Sequence, residues 1–480
     1  MKKTFALTLL LTLPGCIAVG PRYKAPTDAA VQDQYVYEDY SVFSSDAVEP
    51  TGELWWEAFS DPRIGEMVEL ARAENRDLRA AFHRLEAAQA RAGAARTALL
   101  PQGGTSFGVT RQQAAQAQFA GFGGGSGAAP SGSGPEFTTY QAGVSASWEI
   151  DLFGRLRRQS QGASARAEQQ AELFEDTTRL TTAQTVDTYL LLIEALNRRR
   201  VALDNLELQR QALTLTQNLY EAGEVPELNL LQQRTLVRTT EAQVKEIETA
   251  AADATASLAL ILGLTVPEMI GRFPMLLDPN VAPPIPSASP YIALAEPAEV
   301  LRRRPDVRAA ERALAAETYD IGVETAGLFP QVSLDGGASL TALDFSDLGE
   351  SSAFGYSGGP TISWQILSYP RLLRERAAAS AEARAALAQY EQTVLRALTE
   401  TDRALALHTG AVDRAVLLSE AEATALRSVE LVEARYSAGA DSLLSLLDAQ
   451  RTALQTQDQA VSAKVAALRT RTAIHRVLAD

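Results

Sequence analysis

Two stretches of this chain read as very long helices, and they constrain everything else. From Arg155 to Ala222 there is one glycine, Gly162, and no proline; from Arg371 to Ala438 there is one glycine, Gly410, and no proline. Both runs are rich in Ala, Leu, Gln, Arg and Glu, residues that lose little freedom in a helix. At 1.5 Å rise per residue, about 68 residues predict a helix of roughly 100 Å. That length does not fit inside one compact globule; it belongs to a rod or a tube wall. Each run stops at an Ala-Gly pair, at Gly223 or Gly439, a common way to end a helix. A shorter helix is expected to return from each, over Glu227–Leu262 and Asp441–Leu478.

The two runs are parts of an internal duplication. Asp77-Leu78-Arg79-Ala80-Ala81 reappears as Asp306-Val307-Arg308-Ala309-Ala310, and Leu100-Pro101-Gln102 as Phe329-Pro330-Gln331. Ser147-Trp148 reappears as Ser363-Trp364, and Leu219-Tyr220-Glu221-Ala222-Gly223 as Arg435-Tyr436-Ser437-Ala438-Gly439. The order is preserved, so each copy predicts helix, two strands, long helix, turn, helix. The first copy carries extra residues between Gln102 and Ser147, within which Gly121–Pro135 is a Gly/Ser/Ala/Pro tract that reads as a solvated loop.

The first long helix carries two apolar stripes. Leu206, Leu213 and Tyr220 repeat every seven residues, and so do Val201, Leu208 and Leu215. The stripes lie about 200° apart around the axis. A two-helix coiled coil needs one stripe; a helix with a neighbour on each side, as in a closed cylinder of helices, needs two. The interior of a solid helical bundle is the competing arrangement.

Four segments predict strands: Gly104–Arg111, Phe137–Ile150, Gln331–Leu340 and Phe354–Ile366. They are rich in Ser, Thr and Gly and alternate weakly, as in Val144, Ala146, Trp148, Ile150. Such alternation suits outer-membrane strands, apolar toward lipid and polar toward a wet lumen. Trp148 and Trp364 end equivalent strands; they are candidates for membrane-interface anchors, with a plain structural role as the alternative. Four strands are too few to close a membrane barrel, and an open edge in lipid leaves amides unpaired at several kcal/mol each. If these strands cross a membrane, several copies must share one barrel, and three copies supply twelve.

The N-terminus carries an export signal. Met1-Lys2-Lys3 precedes the apolar run Phe5–Leu13, too short to span a bilayer. Leu13-Pro14-Gly15-Cys16 then resembles a bacterial lipobox, in which Cys16 is lipidated and becomes the first residue. Cys16 is the only cysteine in 480 residues, so neither a disulfide framework nor a cysteine zinc site is available. Ile17 rather than aspartate follows it, which resembles default sorting to the outer membrane. A formal charge of −15 argues against nucleic-acid binding. The three histidines, His83, His408 and His475, are far apart. Two matches to G-x-S-x-G, at Gly104–Gly108 and Gly355–Gly359, lie in strand segments without the following helix that a hydrolase elbow requires. No phosphate-binding loop motif occurs. No metal site and no cofactor beyond the covalent lipid on Cys16 are expected, and the chain is not expected to be an enzyme.

Three segments carry a resemblance to a known family. Cys16-Ile17-Ala18-Val19-Gly20-Pro21-Arg22-Tyr23-Lys24-Ala25-Pro26 resembles its lipoprotein start, Leu301-Arg302-Arg303-Arg304-Pro305-Asp306-Val307-Arg308-Ala309-Ala310-Glu311 its most recognisable internal motif, and Leu446-Leu447-Asp448-Ala449-Gln450 its second helical tip. The family is the outer-membrane factors of tripartite (RND-type) efflux systems, in the TolC-like superfamily and its NodT/OprM-like lipoprotein branch. The resemblance implies a mostly α homotrimer: an α-helical barrel of long coiled-coil helices continuing into a shared 12-stranded transmembrane β-barrel, four strands per protomer. It implies a passive exit duct for drugs and other small toxic compounds, lipid-anchored in the Gram-negative outer membrane and extending into the periplasm. Its partners would be a periplasmic adaptor (membrane fusion) protein and an inner-membrane RND-type transporter. The division expected is a signal peptide at 1–15, a lipidated equatorial segment at 16–60, a first repeat at 61–262, a Pro-rich equatorial linker at 263–297 and a second repeat at 298–480. Eight of the 21 prolines fall in Thr265–Pro297, which argues against helix there.

The resemblance also carries over site residues. The tips at Gly223 and Gly439 would lie at the periplasmic end, with Leu444, Ser445 and Asp448 forming the aperture. A threefold ring of Asp448 would attract cations; some relatives have a second aspartate where this chain has Ser445. Tyr436 matches a tyrosine that ties neighbouring helices closed. Its usual acidic and basic partner positions are Asn229 and Asp441 here, which puts the family's closing salt links in doubt. The rival function is a lipid-anchored periplasmic coiled-coil scaffold without channel activity, and it leaves the four duplicated strands without a purpose.

Overall fold

A computed structural model describes residues 18–26, 35–36, 54–113, 136–274, 276, 278, 281–289, 292, 294 and 296–478. Cys16, the Gly121–Pro135 tract and much of the 16–60 segment lie outside the described residues. The elements in chain order are α1 (Pro62–Glu74), α2 (Arg76–Thr97), β1 (Gln102–Gln113), β2 (Glu136–Ile150), α3 (Arg155–Glu221), α4 (Glu227–Ile261), α5 (Val266–Arg272), α6 (Pro297–Arg303), α7 (Pro305–Ala326), β3 (Gln331–Ala342), β4 (Phe354–Ser363), α8 (Tyr369–Ser437) and α9 (Leu443–Leu478). The duplication is explicit: α2-β1-β2-α3-α4 is matched by α7-β3-β4-α8-α9. The uninterrupted helices α3 and α8 run for 67 and 69 residues.

The described residues form two compact units, and each draws on both repeats. The first holds the sheet with the helix ends next to it: residues 1–25, 86–168 and 311–388. Its four strands pair antiparallel in the order β1-β2-β3-β4. The hairpins β1–β2 and β3–β4 are local, whereas β2 pairs with β3 at long range, from Tyr140 opposite Ala342 to Ile150 opposite Val332. In this unit a short N-terminal strap is docked. Val19 N–H donates to Phe153 O at 3.0 Å, and Tyr23 donates its hydroxyl to Glu311 Oε1 at 2.9 Å. Gly20 sits at φ +88° with its backbone against Gly322; a Cβ there would fall 2.6 Å from Gly322 Cα.

The second unit holds residues 26–85, 169–310 and 389–480. Its main core joins Trp55, Trp56 and Phe59 to the inner faces of α1, α3 and α4, with Met269, Phe273 and Leu276 of the proline-rich segment and Val465 of α9. A second cluster joins Ile292 and Val300 to Leu405 of α8 and to Ile474, Val477 and Leu478 of α9. Residues 55–59, the proline-rich segment and α9 thus pack onto the long helices within this unit. One expectation is corrected: the proline-rich segment is not devoid of helix. Residues 266–272 form α5, capped by a reciprocal pair in which Glu268 accepts from Thr265. Pro267 falls in its first turn, where a missing N–H costs nothing, and Pro297 opens α6 for the same reason.

The motif at Leu301–Glu311 proves to be a clamp. Arg304, 2% exposed, grips Asp306 through Nε and Nη2 at 3.0 and 2.7 Å, and it reaches Glu400 Oε2 of α8 at 3.1 Å and Val477 O of α9 at 3.4 Å. Burial pushes the Asp306 carboxyl up, but the Arg304 guanidinium outweighs it, so the group stays below the usual carboxylate range. Two of the three histidines are core residues: His408 bonds Thr470 at 3.0 Å and His475 stacks on Trp55 at 4.9 Å, whereas His83 is exposed.

Candidate functional site: the helical tips and a two-faced sheet

The tips are built twice by the same local chemistry. Gly223 and Gly439 take φ of +77° and +71°. Gly223 N–H donates to Tyr220 O and Glu224 N–H to Leu219 O; Gly439 N–H donates to Tyr436 O and Ala440 N–H to Arg435 O, all at 2.9 Å. Each set satisfies two carbonyls that the end of a long helix leaves without intrahelical donors. The returning helices then begin differently. Pro226 precedes α4. Helix α9 begins at Leu443, two residues after the expected Asp441, because Asp441 and Ser442 cap it: Ser442 N–H donates to Asp441 Oδ1 at 2.9 Å, and Ser445 N–H to Ser442 Oγ at 3.1 Å.

These contacts locate the expected site residues. Ser445 bonds Ser442 at 2.9 Å and so sits inside the cap. Asp441 is the partner of Arg435 at 3.2 Å, an ion pair within one tip. The Ser442 N–H, the Ser445 hydroxyl and Arg435 together hold the Asp441 carboxyl below its usual range. Tyr436 is half-buried against Leu443, Leu446 and Leu447 of α9, alongside Leu236 of α4. Leu444 is 64% exposed, and Asp448 stands one turn further along the same face. Asn229 donates its N–H to Pro226 O at 3.0 Å. Sequence reasoning missed Arg451, whose Nη2 is 3.6 Å from Asp448 Oδ1. Its i+3 spacing was the available signal. The aspartate expected to present a bare negative charge thus has a cation beside it.

The sheet has two chemically opposite faces. Residues opposed in register share a face, so the faces can be read as rows across the four strands. One face carries Phe107–Ala142–Leu340–Phe354, Thr105–Val144–Ala338–Tyr356, Trp148–Leu334–Pro360 and Ile150–Val332–Ile362. The other carries Ser106–Gly143–Ser339–Gly355, Gly104–Ser145–Gly337–Ser357 and Gln102–Ser147–Asp335–Gly359. The first face is apolar and open: Phe107, Val144, Tyr356 and Ile362 are 64%, 55%, 83% and 70% exposed. An apolar face of this extent on an isolated chain marks a surface that water does not contact. Ser106 and Ser357, the serines of the two G-x-S-x-G matches, lie within strands on the polar face.

The two tryptophans brace corners of this unit. Trp148 donates its indole N–H to Leu99 O at 3.0 Å, and Trp364 to Leu328 O at 3.2 Å. Leu99 and Leu328 lie just beyond the ends of α2 and α7, at equivalent positions of the duplication. Both rings remain partly exposed, at 39% and 53%. Among the described residues no single helix is long and apolar enough to cross a membrane, and no cluster of metal ligands occurs.

The second stripe of α3 is present, with Leu208 and Leu215 half-exposed. Leu206 is 4% exposed and packs with Val237, Val244 and Ile247 of α4, while Leu208 and Leu215 are 51% and 50% exposed.

Comparison with known proteins places this architecture. The family described as outer membrane efflux protein matches residues 67–264 and 297–480. A pyoverdine export outer membrane protein, OpmQ of Pseudomonas putida, is 32% identical over 429 residues, covering 88% of this chain and 87% of its own. The probable outer membrane lipoprotein SilC of Salmonella typhimurium is 26% identical, covering 95% and 92%. Among solved structures, the outer-membrane channel OprN superposes with a TM-score of 0.83 at 34% identity, covering 96% of this chain and 98% of that one.

Proposed function

The chain belongs to the outer membrane efflux protein family, and on that premise we propose that three copies close one β-barrel in the outer membrane over a periplasmic helical tunnel, as the exit duct of a tripartite efflux pump. The observation that carries this is the two-faced sheet with two open edges. Among the described residues, strands β1 and β4 each have one unpaired side. In lipid those amides would cost several kcal/mol each. Closure of β4 of one copy on β1 of the next removes every edge, keeps the antiparallel alternation, and turns the apolar rows to lipid and the polar rows to a wet lumen. The exposed stripe at Leu208 and Leu215 is available for a neighbouring helix in the same ring. A coiled-coil scaffold has no use for the apolar sheet face.

On this reading Leu444, Ser445 and Asp448 line the periplasmic aperture. Tyr436, Asn229, Asp441 and the glycine turns at Gly223 and Gly439 set the tips that open and close it. Trp148 and Trp364 are braces whose exposed edges meet the membrane interface. The lipid on Cys16 anchors the chain in the membrane; Ala18, two residues on, lies against Gly154 at the β2–α3 corner. Residues 1–15 form the cleaved signal. The equatorial segments at 16–60 and 263–297 girdle the two repeats, 61–262 and 298–480. The partners are a periplasmic adaptor and an inner-membrane RND-type transporter, and the cargo is small organic molecules, as the name of the pyoverdine-exporting relative suggests. The duct performs no chemistry of its own and needs no cofactor beyond its lipid. Native mass spectrometry of the detergent-extracted protein tests the reading: three protomers, each with a diacylglyceryl-type addition on Cys16, support it, and a lipidated monomer overturns it.

A further inference from the structure

We propose that Asp335 is a fixed anionic station on the lumen wall of the barrel, favouring cationic permeants there independently of the helical tips. The inference rests on the duct reading above, because it takes the polar rows to face water. Asp335 stands in the row Gln102–Ser147–Asp335–Gly359. Its Oδ1 accepts the Ser147 hydroxyl at 2.5 Å and its Oδ2 the Ser333 hydroxyl at 2.7 Å, and Thr361 of β4 also donates to it. Donors from three strands therefore hold the carboxylate in place, and none of them carries charge. Among the described residues of the polar rows, the other acidic group is Glu149, and Arg155 neutralises it with bonds of 3.0 and 2.5 Å. Asp335 has no Lys or Arg partner among the described residues. In the next two rows, Gly104–Ser145–Gly337–Ser357 and Ser106–Gly143–Ser339–Gly355, nothing larger than serine stands beside it.

Contrast the tip. Asp448 has the Arg451 guanidinium 3.6 Å away, so a threefold ring there is weaker than its carboxylates alone suggest. Asp335 retains its full charge. Lone carboxylates repeated three times around a wet passage concentrate cations and deplete anions over about one Debye length, roughly 10 Å at 0.1 M salt.

The test reads the local potential without requiring the tip to open. Ser145→Cys places a thiol diagonally across from Asp335, about 7–8 Å away. Quaternary-ammonium and sulfonate methanethiosulfonates, entering by the barrel mouth of the purified trimer, compete for it; the protein without this substitution gives the background. The ratio of cationic to anionic reaction rates cancels any change in thiol acidity. Coulomb attraction through water at that distance makes the ratio about fourfold larger with Asp335 than with Asp335→Asn at ~0.01 M salt, and close to unchanged at ~1 M. Asp335→Glu keeps the ratio high and controls for folding of the asparagine variant. If both reagents react but Asp335→Asn leaves the ratio unchanged, the anionic station is wrong and the duct stands. If neither reagent reaches the thiol in an intact trimer, the polar rows do not face a wet lumen, and the duct reading falls with the inference.

Discussion

Replacing Leu208 and Leu215 together by alanine should dissociate the trimer while leaving each chain folded. Both lie on the second stripe of α3, half-exposed at 51% and 50%. Moving a leucine fully out of water is worth about 1.5–3 kcal/mol, so covering the exposed half of each yields ~1 kcal/mol. Two leucines in three copies then contribute ~6 kcal/mol to assembly, about four orders of magnitude in the dissociation constant. The stripe on the opposite side gives the control. Leu206→Ala opens a cavity against Val237 and Val244 and should cost ~2–5 kcal/mol of helical-hairpin stability in every copy. The assay is native mass spectrometry against protein concentration, with hydrogen exchange along α3 and α4. The double variant should appear as monomer with its α3–α4 protection intact. A trimer as resistant to dilution as the parent would mean the stripe faces solvent, and the case for a neighbouring helix there would fail.

Three further outcomes follow from contacts already described. Arg304→Met leaves Asp306 and Glu400 with no guanidinium between them and should lower unfolding stability by about 3–5 kcal/mol; a melting temperature within two degrees of the parent, read by calorimetry, would refute the clamp. Because the Asp306 carboxyl is held below its ordinary range when folded, that contribution is complete above the unfolded aspartate value and is lost as pH falls through the folded one. Glu317 and Glu324 of α7 behave oppositely. Burial, then Asp320 for the first and Glu375 for the second, raises both. They therefore bind protons more readily folded than unfolded and lose stability as pH rises through their raised values; Glu317→Gln should flatten that slope in a melting series from pH 4 to 8. Gly439→Ala forces a side chain into φ +71°, so amide exchange at 436–443 should quicken by about fivefold or more; unchanged protection would argue against the turn as the stop of α8.

The long helices were legible because helix length is a local property: no proline and one glycine interrupt each run. The doubled stripe on α3 was legible for the same reason. Strand existence was legible, but the order β1-β2-β3-β4 was not, since the β2–β3 ladder joins residues nearly two hundred apart in sequence and nothing local encodes it. Helix α5 was missed by treating every proline as a breaker, when Pro267 falls in the one turn that tolerates it. At the tip, residue positions carried over from a family could be named, but not their partners. That Asp441 would cap α9 and bond Arg435, and that Arg451 would stand beside Asp448, depend on side-chain directions. Arg304 was quoted for its motif alone; its role appears only once Glu400 and Val477 are brought to it by other helices.

The β2–β3 ladder also fixes an order of events. The hairpins β1–β2 and β3–β4 can each form from one end of the duplication, as soon as that half of the chain is available. Their junction cannot, because it needs both halves and closes a loop that contains α3 and α4. Loop closure on that scale is slow relative to hairpin formation. A newly exported chain therefore passes through a stage in which two half-sheets, each with an apolar face and two raw edges, wait for one another in water. Whatever meets the chain at that stage must shield four edges, twice as many as the finished protomer offers to its neighbours.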